Sequence, residues 1–181
     1  LGPLVGALAR AGSGWIAYRH GGARVTFWVF VAQMVAVLGM IWFLGLGSFA
    51  GFDPATDSVP VDQMIAIDRW AIARTAALHE EIVDAYRKYQ YHLIYQKVHN
   101  FCVVDLGGFY LDLLKDRLYT TPKKGFPRRS AQTALFHIAE SMVRWLAPIL
   151  SYTADEIWSF LPASTANGGK RGASVFLETW H

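Results

Sequence analysis

Apolar side chains recur at three- and four-residue spacing through much of the chain after residue 60. A first stripe marks a segment of about 61–88, a second marks 91–118 and a third marks 129–147. The stripes consist of Met64, Ile67, Ala71, Leu78, Ile82, Ala85 and Tyr89; of Ile94, Val98, Phe101, Cys102, Phe109 and Leu113; and of Leu135, Ile138, Met142, Trp145 and Ile149. Such spacing places the apolar residues on one face of a helix. Long helices with short connections favour an all-α fold, an antiparallel helix bundle.

Helix boundaries follow from a few residues between and inside these stripes. The Gly107–Gly108 pair interrupts the second segment and predicts a kink or a close packing point. Pro148 ends or bends the third helix. Thr153 and Glu156 have the spacing of a capping box, so a short fourth helix is expected to begin there and to end at Pro162.

Charge divides the chain into two unlike parts. Residues 1–52 contain no Asp or Glu, and their charged side chains are Arg10, Arg19 and Arg24. The remaining 14 basic residues and all 14 acidic residues follow residue 52, so the net charge of +3 belongs to the first part. This break indicates a boundary near residue 51. We therefore expect an apolar, Gly-rich segment at 1–47 and a helical domain at 48–181.

The first segment contains an uncharged run from Val25 to Phe52. It is long enough to cross a lipid bilayer as a helix, which predicts membrane contact through residues 25–46. A buried helix packed on the second segment is the alternative. The arginines before the run would place the N-terminus in the cytoplasm.

A cationic cluster lies at residues 115–129, where Asp116 is the one acidic residue. Tyr119 and Phe126 alternate with the basic residues, which are Lys115, Arg117, Lys123, Lys124, Arg128 and Arg129. Basic residues can neutralise phosphates, and aromatic rings can stack on unpaired bases. The cluster therefore predicts an RNA or other polyanion site, with a solvated loop as the alternative.

No constellation points to catalysis or to a metal. His79 is followed by two glutamates but lacks the second histidine of a zinc-binding HExxH motif, and no phosphate-binding glycine motif occurs. The single cysteine, Cys102, excludes an internal disulfide and lies on the apolar stripe. Asp105, Asp112 and Asp116 lie among basic residues and predict surface ion pairs. We predict no catalytic residue and no metal ligand, and a binding module is favoured.

Several strings together resemble the anticodon-binding helical domain of bacterial isoleucyl-tRNA synthetases. They are GFDPATD at 51–57, IDRW at 67–70, FYLDLLKDRLY at 109–119, RRSAQTAL at 128–135, HIAE at 137–140 and APILSYTADEIW at 147–158. The resemblance covers about residues 48–181. It is lost on the N-terminal side of about Phe43. It implies that residues 1–47 are either a membrane span or sequence foreign to the family.

The resemblance also implies a function and its partners. That family joins isoleucine to its tRNA with ATP and Mg²⁺ in the cytoplasm, and it carries zinc in a C-terminal module. This chain lacks the ATP-binding strings, so we expect it to bind isoleucine tRNA, to act with a catalytic domain and to be inactive alone. A small membrane-anchored helical protein is the alternative. Charge density, not the family pattern, assigns RNA contacts to Arg117, Tyr119, Lys123, Lys124, Arg128 and Arg129.

Overall fold

The computed structural model describes residue 49, residues 51–162 and residues 170–179. All of these residues lie in one compact unit, Ile41–His181. Helices make up most of the described part, and no β-strand occurs in it. The prediction of an all-α fold is confirmed.

A short lead-in precedes the first long helix. Helix α1 spans Pro54–Asp57 and is capped by Asp53, whose carboxylate accepts a hydrogen bond from the Ala55 N–H at 3.0 Å. Both residues are favourable at the start of a helix, where the first N–H groups lack a helical partner. The Asp side chain accepts from one of these N–H groups, and the proline has no N–H to leave unpaired. A 3₁₀ turn, Val61–Gln63, then leads into α2, Ala66–Arg87.

The helical segment predicted at 91–118 forms one continuous helical rod that changes geometry in its middle. It consists of α3, Tyr91–Asn100, a π-helix, Phe101–Tyr110, and α4, Leu111–Thr120, and we call residues 91–120 the second rod. The Gly107–Gly108 pair lies inside the π-helix. A Cβ atom on Gly107 would lie 3.0 Å from the carbonyl oxygen of Cys102, so the glycine permits this close approach.

The π-helix changes which residues of the second rod face the core. Phe109 and Leu113, which the regular stripe places inside, are 45% and 51% exposed. Leu106, Tyr110 and Leu114 are buried instead. In a π-helix the backbone hydrogen bonds join residues five apart rather than four apart. Each π-helical turn therefore rotates the buried face away from the positions that a 3.6-residue period predicts. The stripe is correct through Cys102, at the start of the π-helix, and wrong at Phe109 near its end and at Leu113 beyond it.

Helix α5, Phe126–Leu146, forms the centre of the core, and α6, Ser151–Phe160, packs against it. More than half of α5 is buried, including Ala131, Ala134 and Phe136 without exposed surface. The capping box predicted for α6 is wrong, because the helix already begins at Ser151. Asp155 instead accepts hydrogen bonds from Ser174 Oγ at 2.5 Å and from the Val175 N–H, which fixes the segment 170–179.

Contacts between named residues define the direction of each helix. The N–H of Ile65 donates to Ser130 at the start of α5, and Tyr86 donates to the carbonyl of Trp145 near its end, so α2 and α5 run parallel. The second rod runs antiparallel to α2, since Asp68 near the start of α2 pairs with Arg117 late in the rod, whereas Glu81 further along α2 pairs with Lys97 early in the rod. Consecutive rods therefore alternate in direction, as the bundle prediction requires.

Several predictions concern residues outside the described part. They are the membrane span at 25–46 and the separate segment at 1–47. Within the ranges that are described, no helix has both the length and the apolar character needed to cross a lipid bilayer.

Candidate nucleic-acid interface

The connection between α4 and α5 carries the predicted cationic cluster. Pro122 and Gly125 form a tight turn in which the Gly125 N–H donates to the Pro122 carbonyl at 2.9 Å, and Gly125 also precedes the first residue of α5. The turn therefore brings the end of α4 and the start of α5 together, and the six predicted RNA-contacting residues lie on these elements.

Arg117 is partly exposed and pairs with a buried carboxylate. Its Nη1 and Nη2 atoms donate to Asp68 at 3.0 and 2.6 Å, and Asp68 has no exposed surface. Tyr110 Oη and Ser130 Oγ donate to the same carboxylate at 2.9 and 2.5 Å. We call Asp68, Tyr110, Arg117 and Ser130 the Asp68 network, and it joins α2, the second rod and α5.

The charges of the Asp68 network support one another. Partial burial alone would lower the pKa of Arg117, but the hydrogen bonds and the charge of Asp68 outweigh it, so the pKa is raised. Burial raises the pKa of Tyr110, and the negative charge of Asp68 adds to the increase. The phenol therefore stays a hydrogen-bond donor. These partners make Arg117 a structural residue in this geometry.

Two further members of the cluster bind their own chain. Lys124 Nζ donates to Asp57 Oδ2 at 2.6 Å and to the carbonyl oxygen of Gly51 at 3.0 Å. Arg128 Nη1 donates to the carbonyl oxygen of Leu118. Lys124 therefore binds the lead-in before α2, and Arg128 binds the end of α4, although the sequence analysis assigned both side chains to RNA phosphates.

The remaining members differ in access. Arg129 is half-buried, and its Nε atom has no hydrogen-bond partner among the residues described. Tyr119 is 81% exposed, and Lys123 is exposed without an ion-pair partner in the described ranges. Of the six predicted residues, Tyr119 and Lys123 are thus exposed and make no ion pair within the described part of the chain, and their contact with RNA stays a prediction.

A second aromatic and basic surface lies at the turn between α2 and α3. Tyr86 and Tyr91 have ring centroids 6.0 Å apart, and Tyr89 and Tyr91 have centroids 6.4 Å apart, both pairs in edge-to-face geometry. Tyr89 is 77% exposed, although the apolar stripe assigned it to the core. The sequence signal for this surface is YRKYQYH at 86–92, which a search for the densest basic cluster does not detect. We call residues 86–92 the tyrosine turn.

The described residues contain no group of His, Cys, Asp and Glu side chains that could hold a metal ion. Cys102 is buried, and burial raises the pKa of its thiol to about 12, so it stays protonated and apolar in character. His79 accepts a hydrogen bond from Trp145 Nε1 at 2.9 Å, which explains it as a structural residue.

Residues 68–181 match the family model of the anticodon-binding domain of tRNA ligase. The chain belongs to this family. Curated relatives of this anticodon-binding domain include the isoleucine–tRNA ligases of Nitrosococcus oceani, 58% identical over 136 residues, and Pseudomonas aeruginosa, 57% identical over 136 residues. The ligase of Coxiella burnetii is 56% identical over 135 residues. Each match covers 75% of this chain and 14% of the relative.

The strings that carry the family resemblance explain how this anticodon-binding domain holds together. The Asp68 network draws one residue from the string at 67–70, two from the string at 109–119 and one from the string at 128–135. Three separate strings thus meet at one buried carboxylate. The residues that carry the resemblance therefore largely stabilise the fold. The exposure of side chains, rather than the resemblance, indicates which residues can contact RNA.

Proposed function

We propose that this chain is the part of an isoleucine–tRNA ligase that binds the anticodon stem and loop of isoleucine tRNA. The match of residues 68–181 to the anticodon-binding family carries the proposal. Relatives named isoleucine–tRNA ligase, with up to 58% identity among those compared above, support the choice of isoleucine. The whole ligase would attach isoleucine to its tRNA in the cytoplasm.

The parent protein would supply the chemistry from other parts of its chain. Because the matched part spans 14% of the relatives' length, we assign ATP, Mg²⁺ and a zinc ion to regions outside this segment. A catalytic domain of the same ligase is the proposed protein partner. This chain would act by positioning tRNA for that domain.

The accessible members of the cationic cluster are the proposed RNA contacts at the α4–α5 connection. Lys123 would bind a phosphate, and Tyr119 would stack on an unpaired base, since both side chains are exposed. Lys124, Arg128 and Arg129 would add positive potential near the phosphates. Arg117 belongs to the Asp68 network and is not among the proposed RNA contacts.

A titration of the chain with isoleucine tRNA and with a non-cognate tRNA tests the proposed function. We expect tighter binding of isoleucine tRNA, and weaker binding of both RNAs at about 200 mM salt than at about 50 mM, because phosphate contacts release counterions. Filter binding measures both affinities. Failure to bind either tRNA at the lower salt concentration contradicts the proposal.

Two adjacent lysines provide a matched comparison for the assigned contacts. Lys123→Met and Lys124→Met remove the same charge, but Lys124 alone of the two bonds to Asp57. We expect Lys123→Met to weaken tRNA binding severalfold and to lower the salt slope by about 1, with little change in stability. Lys124→Met should lower the free energy of unfolding by up to about 1 kcal/mol and affect binding less. Equal binding losses would show that the two lysines do not differ as we assign them.

A further inference from the structure

Tyr89 has a backbone conformation that a tyrosine adopts at a cost. Its φ is 56°, and it is the one non-glycine residue with positive φ among those described. The Gln90 N–H donates to the Ala85 carbonyl at 2.8 Å, and the Tyr89 N–H donates to the Tyr86 carbonyl at 3.0 Å. This pair of bonds is a Schellman ending of α2, in which the left-handed position usually holds glycine. A tyrosine there is strained because its Cβ crowds the backbone.

Packing does not explain why a tyrosine occupies this position. The side chain is 77% exposed, and its described ring contact is an edge-to-face one with Tyr91, which is itself 50% exposed. Tyr86, in contrast, donates from its hydroxyl to the Trp145 carbonyl at 2.7 Å and so fixes the group to α5. The outer two rings are therefore held in place and left open to solvent. Strain retained at an exposed residue suggests a role in binding.

The charge around these rings suits a polyanion. Residues 85–92 contain Arg87 and Lys88 and no acidic residue. Lys88 pairs with Asp84 at 2.7 Å, whereas Arg87 is exposed and has no ion-pair partner in the described part of the chain. A free guanidinium beside two exposed rings can bind a phosphate while the rings stack on the attached base.

We propose that the tyrosine turn is a second RNA site, in which an unpaired base stacks on Tyr89 and Tyr91 and Arg87 binds the neighbouring phosphate. This inference rests on the proposed function, because it assumes that the partner is RNA, and it adds a site that charge density did not reveal. The site lies at the end of α2, and the α4–α5 connection lies near its start. A helix of 22 residues separates the two by about 30 Å.

Tyr89→Gly separates binding from folding. Glycine suits the left-handed position, so we expect the midpoint of thermal unfolding to stay unchanged or to rise by about 2–4 °C. The same variant should bind an RNA hairpin with the anticodon stem and loop of isoleucine tRNA about 5- to 100-fold more weakly, the range expected for one stacked base. Fluorescence of 2-aminopurine placed in the loop should change on binding to the unaltered chain and change less with the variant.

Two controls keep the test specific. Tyr89→Phe retains the ring and should bind the hairpin as the unaltered chain does. Tyr152→Ala removes an exposed tyrosine of α6 that is 94% exposed and lies outside the tyrosine turn, and it should also leave binding unchanged. Arg87→Met should weaken binding and reduce its salt dependence, which tests the phosphate contact without altering the strained residue.

The outcomes distinguish this inference from the proposed function. If the unaltered chain binds isoleucine tRNA and Tyr89→Gly binds it equally well, the second site is wrong and the proposed function stands. If the unaltered chain binds neither the hairpin nor tRNA, both are wrong. Equal losses for Tyr89→Phe and Tyr89→Gly, or an equal loss for a fully paired RNA duplex, would also overturn base stacking.

Discussion

Asp68 has no exposed surface, and its carboxylate accepts hydrogen bonds from three side chains. Burial of a charge is costly, so it is tolerated where a partner of opposite charge and further donors surround it. Arg117 provides the charge, and Tyr110 and Ser130 provide neutral donors. At the scale of single residues, the arginine that charge density assigned to RNA instead pairs with Asp68, whose network joins α2, the second rod and α5.

Asp68→Asn tests this structural role. The asparagine removes the negative charge and faces Arg117 with a weaker partner, so we expect the free energy of unfolding to fall by about 3 kcal/mol, near the lower end for a broken buried pair because Arg117 is partly exposed. Urea unfolding measures the change. Asp112→Asn is the matched control, since Asp112 forms an exposed pair with Lys115 and its loss should cost less than about 1 kcal/mol. Similar values for both variants would contradict the role assigned to Asp68.

At the scale of elements, the lead-in before α2 is attached to the start of α5 by side chains. Asp57 at the end of α1 accepts from the Asp53 N–H at 2.9 Å and from Lys124 at 2.6 Å. The Val59 N–H donates to Thr133 in α5 at 3.2 Å. Short elements such as α1 have little stability of their own, so these bonds to the bundle hold it in place.

The stability of this attachment should depend on pH. Burial alone would raise the pKa of Asp57, but the Asp53 N–H and Lys124 outweigh it and lower the pKa below 3.8. A carboxyl group with a lowered pKa stabilises the fold fully above its unfolded value and loses that contribution as the pH falls through the folded value. We therefore expect stability to fall below about pH 4, and to fall less in Lys124→Met.

Urea unfolding at pH 6 and at pH 3 checks this expectation. Lys123→Met serves as the control, because it removes a neighbouring charge that does not contact Asp57. An acid-induced loss of the same size in Lys124→Met and in the unaltered chain would show that the contact does not lower the pKa of Asp57.

At the scale of the whole described unit, the two proposed RNA surfaces lie at opposite ends of the bundle. α2 and α5 run parallel, so the start of each lies near the α4–α5 connection and the end of each lies near the tyrosine turn. The separation of about 30 Å is the length of α2. Because an unpaired base is proposed to stack at each surface, an RNA bound to both would need unpaired bases about 30 Å apart, whereas a single loop would reach one surface.

Double substitution of Lys123→Met and Tyr89→Gly tests whether the two surfaces act independently. Sites this far apart share no contacts, so their effects on tRNA binding energy should add to within about 0.5 kcal/mol. Titration of isoleucine tRNA with the single and double variants gives the coupling. A larger coupling would indicate that the two surfaces bind the same RNA segment or that one variant alters the fold of the other end.

Much of the fold could be predicted because apolar spacing is a local property. The stripes located α2, the second rod and α5, and the resemblance of several strings indicated the family that the comparison established. The prediction failed at Phe109 and Leu113, since the π-helix rotates the buried face and a regular helical period does not include this rotation. The predicted capping box also failed, because the helix already begins at Ser151, two residues before Thr153.

The sequence by itself determined that helices form and roughly where, since a helical period depends on neighbours three or four residues apart. The tertiary structure alone decided which charges are free. Arg117 and Lys124 bind carboxylates that lie 49 and 67 residues earlier in the chain, whereas Lys123 has no ion-pair partner in the part of the chain that is described. Charge density counts all three equally, because ion pairs between distant segments exist only after the chain has folded.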